Sequence, residues 1–259
     1  MKTITSSQNP IIKQCTQLKK KKFRDQYDAF LVEGDKLVLE AINLERVKYL
    51  LVREDRVADF QEHAKKMEKA VCLPTSVFEK ITDTITSQGV VAVVAKEVEN
   101  WETVVGKDSP VVVLDQLQDP GNIGTIIRTA EAAGYGSIMA IKGTGDVFSP
   151  KVVRAAAGSI LRMPVIHAED TEIAVNMLRK AGKIITVTSL DADMYFYQAD
   201  LTKKTALVIG NEGHGVSSSM REQAQLKIKI PMEGQVESLN AAMAAGILMY
   251  QNVIGKRKG

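Results

Sequence analysis

Cysteine is nearly missing from this chain. Cys15 and Cys72 are the only two in 259 residues, and neither has a partner at the spacing of a disulfide framework or a zinc site. A cytoplasmic protein without metal is therefore expected. Long apolar runs are lacking too. The opening stretch MKTITSSQNPIIKQC has no apolar core of the kind that marks a signal peptide, and the most apolar late stretch, 239–254, is broken by Asn240, Gln251 and Asn252. No membrane role is expected. An excess of one charge is also absent. The 34 basic and 31 acidic residues leave +3, so total charge identifies no nucleic-acid binder and its distribution must decide. Two nucleotide fingerprints are missing as well. Gly210, Gly213 and Gly215 have the wrong spacing for G-x-G-x-x-G, and no Walker lysine motif occurs. With no matching acidic ribose ligand, a nucleotide-dependent oxidoreductase on a doubly wound sheet is the weaker enzyme reading.

What is present is enough apolar residue, 45% against 25% charged, to bury a sizeable core in one large or two ordinary domains. Two are expected, 1–100 and 108–259, with the boundary in the polar stretch ENWETVVGKDSP. In the front part, Pro10, Ile11, Ile12 and Leu18 lead into LKKKKFR. The pattern predicts an amphipathic helix ending in a basic cluster of Lys19, Lys20, Lys21, Lys22 and Arg24. Such a run is either a solvated helix face or a patch that meets phosphates, together with Lys13 and Arg46. A strand at 30–34, a helix opened by Asp35, a strand from Val47, a helix near 62–69 and a strand from Val90 complete an alternating α/β unit.

The second part is more regular. Apolar runs at 111–114, 137–141, 184–188, 206–209 and 227–230 predict strands. Helical stretches at 123–133, 150–161, 171–181 and 217–224 separate them, which implies a mostly parallel sheet covered on both faces.

Three segments of this part carry the chemistry. In VVVLDQLQDPGNIGTIIRTAEAAGYGSI a strand runs through the turn Asp119-Pro120-Gly121 into a helix capped by Asn122, with Arg128 on it. Ligand sites of open α/β sheets form at such strand ends. In ALVIGNEGHGVSSSM a strand ends at Gly210 and is followed by Asn211, Glu212, Gly213 and Gly215, and glycines let the backbone approach a ligand closely. In IKIPMEGQVESLNAAMAAGILMY a strand stops at Pro231 and a loop from Met232 to Ser238 precedes an Ala- and Gly-rich helix. Each also has an ordinary structural explanation, as cap, surface cation, tight turn or close helix packing.

Together these segments resemble the signature motifs of the SpoU (TrmH-like) branch of the SPOUT methyltransferases. They are N-x-G-x-x-x-R at Asn122 to Arg128, G-N-E-G-x-G at Gly210 to Gly215, and I-P-M with S-L-N-A at Ile230 to Ala241. N-P-x-I-K, the Lys-rich helix and FLVEG are similar to the family's ribosomal-protein-like substrate-binding domain. The resemblance implies an α/β fold whose C-terminal domain has a deep trefoil knot, a homodimer, and transfer of a methyl group from S-adenosylmethionine to a ribose 2′-hydroxyl of RNA. Ribosomal RNA of the large subunit is the expected substrate, with tRNA, or a non-catalytic ribosome-assembly role, as alternatives.

By the same resemblance, Thr188, Ser189, Leu190, Gly210, Asn211, Gly213, Ile230, Met232, Ser238 and Leu239 would hold the cofactor, much of it through main-chain groups between apolar walls. Arg128 would meet the hydroxyl, Glu212 would orient its guanidinium, Asn122 the neighbouring loop, and Ser238 and Asn240 the RNA phosphate or ribose. Because a free guanidinium stays protonated near neutral pH, two roles for Arg128 stay open. It is either a base perturbed by its surroundings or a cation that stabilises the developing alkoxide.

Overall fold

The computed structural model describes residues 1–258 except Ile85, Val98, Glu99, Lys107, Lys203 and Glu237, with backbone only at 256–258. Glu99 and Lys107 of the expected boundary stretch, and Glu237 of the loop 232–238, therefore lie outside the described residues. The chain divides into two compact units. One comprises Met1–Glu97 and Phe148–Leu161, the other Val98–Val147 and Arg162–Gly259.

The first unit is built on five strands, β1 (Lys2–Thr3), β2 (Ala29–Glu33), β3 (Val47–Arg53), β4 (Ala70–Leu73) and β5 (Val90–Ala95). They lie in the order β1-β4-β3-β5-β2, with β5 antiparallel to both neighbours. Ile12, Leu18, Leu51, Leu73, Phe78 and Val93 form its core. The helix Pro10–Gln17 is capped by Asn9, whose side chain accepts from the Ile11 N–H, and it stops before Lys19; a second short helix, Lys21–Gln26, begins inside the lysine run. The basic run thus straddles a break instead of ending one helix.

That break changes the expected phosphate face. Arg24 is 3% exposed and donates to the carbonyl of Leu18 at 2.6 Å, so it closes the first helix end and is withdrawn from the phosphate set. Arg46 donates to the carbonyls of Ala95 and Leu161, and Lys19 donates to Thr82 O and pairs with Asp83 at 2.9 Å. Lys13, Lys20, Lys21 and Lys22 stay exposed. The helical stretch 150–161, expected as a crossover of the second sheet, groups with this unit as part of Phe148–Leu161. Phe148 packs on Phe30 at 4.9 Å between ring centroids, with the Lys96 ammonium 5.2 Å above the Phe148 ring.

The second unit holds β6 (Val111–Leu114), β7 (Ser137–Ile141), β8 (Val165–Ala168), β9 (Ile184–Thr188), β10 (Met194–Tyr195), β11 (Thr205–Ile209) and β12 (Leu226–Lys229). Their order is β10-β12-β9-β11-β6-β7-β8, and every pair is parallel. A sheet covered on both faces needs strands apolar throughout, and β6, β7 and β11 are buried at every residue. The helices Pro120–Ala132 and Ala241–Lys258 lie side by side and run the same way. Asn240 meets Asn122 at one end, and Asn252 donates to Ala133 O at 2.7 Å at the other. Among the described residues no helix is long and apolar enough to cross a membrane.

The burial of Arg24 yields a direct expectation. Arg24→Ala should cost about 2 kcal/mol of unfolding free energy, as for a charge-assisted buried hydrogen bond. Lys22→Ala, on the exposed side, should stay within about 0.5 kcal/mol of the parent. Denaturant titration of both variants checks this, and equal losses would contradict the burial.

Candidate active site at the carboxyl edge of the parallel sheet

Because all seven strands point one way, the segments leaving β6, β9, β11 and β12 emerge on one edge of the sheet. β6 runs into Asp115, which is 1% exposed. Its N–H donates to Ile209 O at 2.9 Å, and its Oδ2 accepts from the Ser217 N–H at 2.7 Å. Both ends of the loop after β11 are thereby tied to one residue. Gln116 follows with φ +59°, and its carbonyl accepts from Asn211 Nδ2 at 3.0 Å.

The helix that carries Asn122 and Arg128 is capped by Asp119 and not by Asn122. Asp119 Oδ1 accepts from the Asn122 N–H at 2.8 Å, and Pro120 takes the first helical position. The signal was in the sequence, as an Asp directly before Pro. With the cap supplied elsewhere, the buried amide of Asn122 is available for contacts across the site.

The loop after β11 closes on itself through two main-chain bonds between Asn211 and Gly215, at 2.9 and 2.8 Å. Gly210 cannot be anything else. A Cβ there would lie 2.2 Å from the Gly215 carbonyl carbon and the Val216 nitrogen. Gly215 needs its positive φ of +70°, and Asn211 Oδ1 accepts from the Gly213 and His214 N–H groups.

This closed loop projects Glu212 toward the first helix. Its Oε1 accepts from the Asp119 N–H at 2.9 Å and from Asn122 Nδ2 at 3.1 Å, and its Oε2 accepts from the Gln118 N–H at 3.1 Å. Partial burial works against the charge, but the donors at Asp119, Asn122 and Gln118 outweigh it and hold the carboxyl below its ordinary value. Asn122 Oδ1 in turn accepts from Asn240 Nδ2 at 3.0 Å. Asn240 Oδ1 accepts from the N–H groups of Ala242 and Met243 and so caps the last helix. Glu212, Asn122 and Asn240 are one hydrogen-bonded chain that joins all three motifs.

One expected contact is not formed. Glu212 bonds the turn and Asn122, not Arg128, because its oxygens already face three N–H donors. Arg128, six residues beyond Asn122 on the same helix, is exposed, and no hydrogen bond or ion pair engages it among the described residues. Asn240 caps the last helix and donates to Asn122. Ser238 is exposed beside it.

The remaining predicted positions fall along the adjoining strand ends. Thr188 closes β9, and Ser189 N–H donates to Ile228 O at 3.0 Å. Ser189 Oγ also donates to Asp191 and holds that carboxyl below its usual range. Beyond that rung, the main chain of Ile230 and of Leu239 enters no backbone hydrogen bond among the described residues. Leu190 is 77% exposed and Leu239 37%, and Met232 is half-buried. Exposed aliphatic side chains at strand ends on the edge that also carries Gly210 suit a flat heterocycle read through the backbone.

Fold and site define an α/β protein with a candidate ligand site at the carboxyl edge of a parallel sheet. Family models make the class specific. The SpoU rRNA Methylase family matches residues 109–250, and an MRM3-like substrate binding domain matches residues 9–92. The chain belongs to the SpoU rRNA methylase family. It is 35% identical to a Bacillus subtilis 23S rRNA (guanosine(2553)-2′-O)-methyltransferase over 96% of this chain and 98% of that one. It is similar to an AdoMet-bound rRNA methyltransferase from Sinorhizobium meliloti, with a TM-score of 0.88, 32% identity and 98% coverage of both chains. The SpoU methyltransferase AviRb from Streptomyces viridochromogenes, in complex with AdoMet, superposes with a TM-score of 0.87 at 27% identity, covering 97% of this chain and all of that one.

Glu212→Gln tests the hydrogen-bonded chain. The amide turns one acceptor into a donor opposite N–H groups, so a loss of about 1–2 kcal/mol at neutral pH is expected. A carboxyl whose pKa is lowered by folding stabilises above its unfolded pKa and ceases to do so as pH falls through the folded value. The gap between parent and variant should therefore close on acidification below the carboxylate range. Unfolding curves across pH read it, and a gap independent of pH would contradict the assignment.

Proposed function

We propose that this chain transfers a methyl group from S-adenosylmethionine to the 2′-hydroxyl of a ribose in large-subunit ribosomal RNA. The carrying observation is the convergence of the three motifs on one edge, joined through Glu212, Asn122 and Asn240, with Arg128 facing solvent beside them. The relatives support this reading by their described activity, and a guanosine is the first nucleotide to examine.

When bound, S-adenosylmethionine supplies an electrophilic methyl group on a sulfonium. The chain must align the acceptor oxygen with it and stabilise that oxygen as its proton leaves. Gly210 with Asn211 and Gly213, Thr188 to Leu190, Ile230, Met232, Ser238 and Leu239 would hold the cofactor, chiefly by backbone groups. Arg128 is the group on the acceptor side, and its charge favours the developing alkoxide. Asn122, Glu212 and Asn240 are positioning residues that fix the helix bearing Arg128, and Ser238 meets the RNA.

Residues 1–100 serve as the RNA-binding domain and 108–259 as the methyltransferase domain. On the first, the exposed Lys13, Lys20, Lys21 and Lys22 meet phosphates. The second carries the family's trefoil knot, in the C-terminal part of the chain. The chain works in the cytoplasm, as a homodimer. Support for the dimer comes from the last helix, which leaves Met243, Ile247, Tyr250 and Ile254 exposed. Their i, i+4, i+7, i+11 spacing makes one unpartnered apolar face.

Arg128→Ala should lower methyl transfer about a hundred- to a thousandfold while cofactor affinity stays within a few-fold. Radiolabel transfer into ribosomal RNA and calorimetric titration with S-adenosylmethionine measure the two, and lost cofactor binding with retained turnover would refute the assignment. Ile247→Glu should convert a dimer at micromolar concentration into monomers in sedimentation velocity. A parent chain that is already monomeric would remove the dimer.

A further inference from the structure

We propose that the tyrosine pair at the edge of the seven-stranded sheet is a stacking platform for an unpaired nucleobase flanking the methylated ribose; this rests on the RNA reading above. The chain has six tyrosines and six phenylalanines, and three of these twelve stand in succession at Tyr195, Phe196 and Tyr197. They are not core residues. Tyr197 is 54% exposed, and Tyr195 and Phe196 are half-buried. The rings of Tyr195 and Tyr197 are stacked in parallel, with centroids 5.4 Å apart and 7° between planes, and Phe196 meets Tyr197 edge-on at 5.4 Å. The Lys229 ammonium is 5.1 Å from the Tyr195 ring centre. A ring held on one side by a parallel neighbour and open on the other is the arrangement on which a base stacks.

The position in the sheet fits that occupant. Tyr195 pairs in register with Lys229, the last residue of β12, and Ile230 of the cofactor loop follows it directly. β10 is three strands from β11, so the platform is about 15 Å from Gly210 at ~4.8 Å per strand. That is within reach of nucleotides next to the one being methylated. The surroundings also favour RNA over a second protein copy. Asp191, Asp193 and Lys227 are exposed around the tyrosines, whereas the cores of protein interfaces are depleted of charge. These opposite charges nearly balance, with Lys227 and Arg221 both acting on Asp191. Stacking, not phosphate attraction, then carries the contact, and it should be insensitive to salt.

The experiment uses the full chain and a ribosomal RNA fragment that the parent methylates. Tyr197→Ala should raise KM for RNA about tenfold, as for one lost stacked base, with kcat at saturating RNA and cofactor affinity unchanged. Tyr197→Phe and Tyr197→Trp should restore KM. The increase should be the same at low and high salt, while replacing Lys20, Lys21 and Lys22 by Gln should matter only at low salt. The Trp variant should also show RNA-induced quenching beyond that of the parent, whose single tryptophan is Trp101. An unchanged KM in an active Ala variant overturns the platform. So does dissociation of a parent dimer by Tyr197→Ala, which would assign the ring to the second copy. A parent chain that methylates no RNA refutes the functional reading itself.

Discussion

The site depends on a hydrogen-bonded chain with a fixed direction. A carboxylate only accepts, so Glu212 must face donors, and it takes two from the turn before the helix and one from Asn122. That choice turns the Asn122 carbonyl outward, where it can be filled only by a donor, and Asn240 presents its NH2. The carbonyl of Asn240 is then left for the first N–H groups of the last helix. One end is anchored by charge and the other by the unsatisfied donors of a helix N-terminus. No amide in the series can flip without setting like against like, so three loops distant in sequence have one mutual arrangement.

That arrangement is possible because of the strand order. β11 is placed between β9 and β6, so the loop with Glu212 leaves the sheet beside the turn after β6 and beside Thr188. β12 is on the far side of β9, which brings Ile230 to the same edge. Asp115 fastens the two central strands, taking Ile209 O with its N–H and the Ser217 N–H with its carboxylate. Gly210 allows the loop to fold back over that junction, since a Cβ would occupy the space of Gly215 and Val216. The two parallel helices fix the third motif against the first, because Asn240 bonds the start of the helix Pro120–Ala132 and Asn252 bonds its end.

Much of this was readable in the sequence, and the gaps have physical causes. The buried strands announced themselves as apolar runs, and β6, β7 and β9 fall at the expected residues. β8 and β10 did not, because edge strands of four and two residues give patterns too short to distinguish from a loop. The helix expected at 62–69 lies at Val57–Lys65, displaced because charged residues on both of its sides blur the period. Motif residues were found, but not their partners. Periodicity could not show that Glu212 would be spent on main-chain donors, or that Arg24 and Arg46 would turn inward to carbonyls. Side-chain direction depends on which backbone groups the fold leaves unpaired, and that is set by tertiary structure.

The expenditure of Glu212 on the turn has a consequence for Arg128. A guanidinium next to a carboxylate would be neutralised before any substrate arrived, and its field at the acceptor oxygen would be weaker. Here Glu212 is held by three N–H donors, and among the described residues no ion pair engages the exposed Arg128, so its charge is left to a substrate. Its natural counter-ion is then the RNA backbone, through charge-assisted bonds to phosphate oxygens. A phosphate held there would bring the neighbouring ribose to the same guanidinium. The acceptor side of the site would thus be completed by the substrate, which couples the capacity for methyl transfer to the presence of RNA without any moving part.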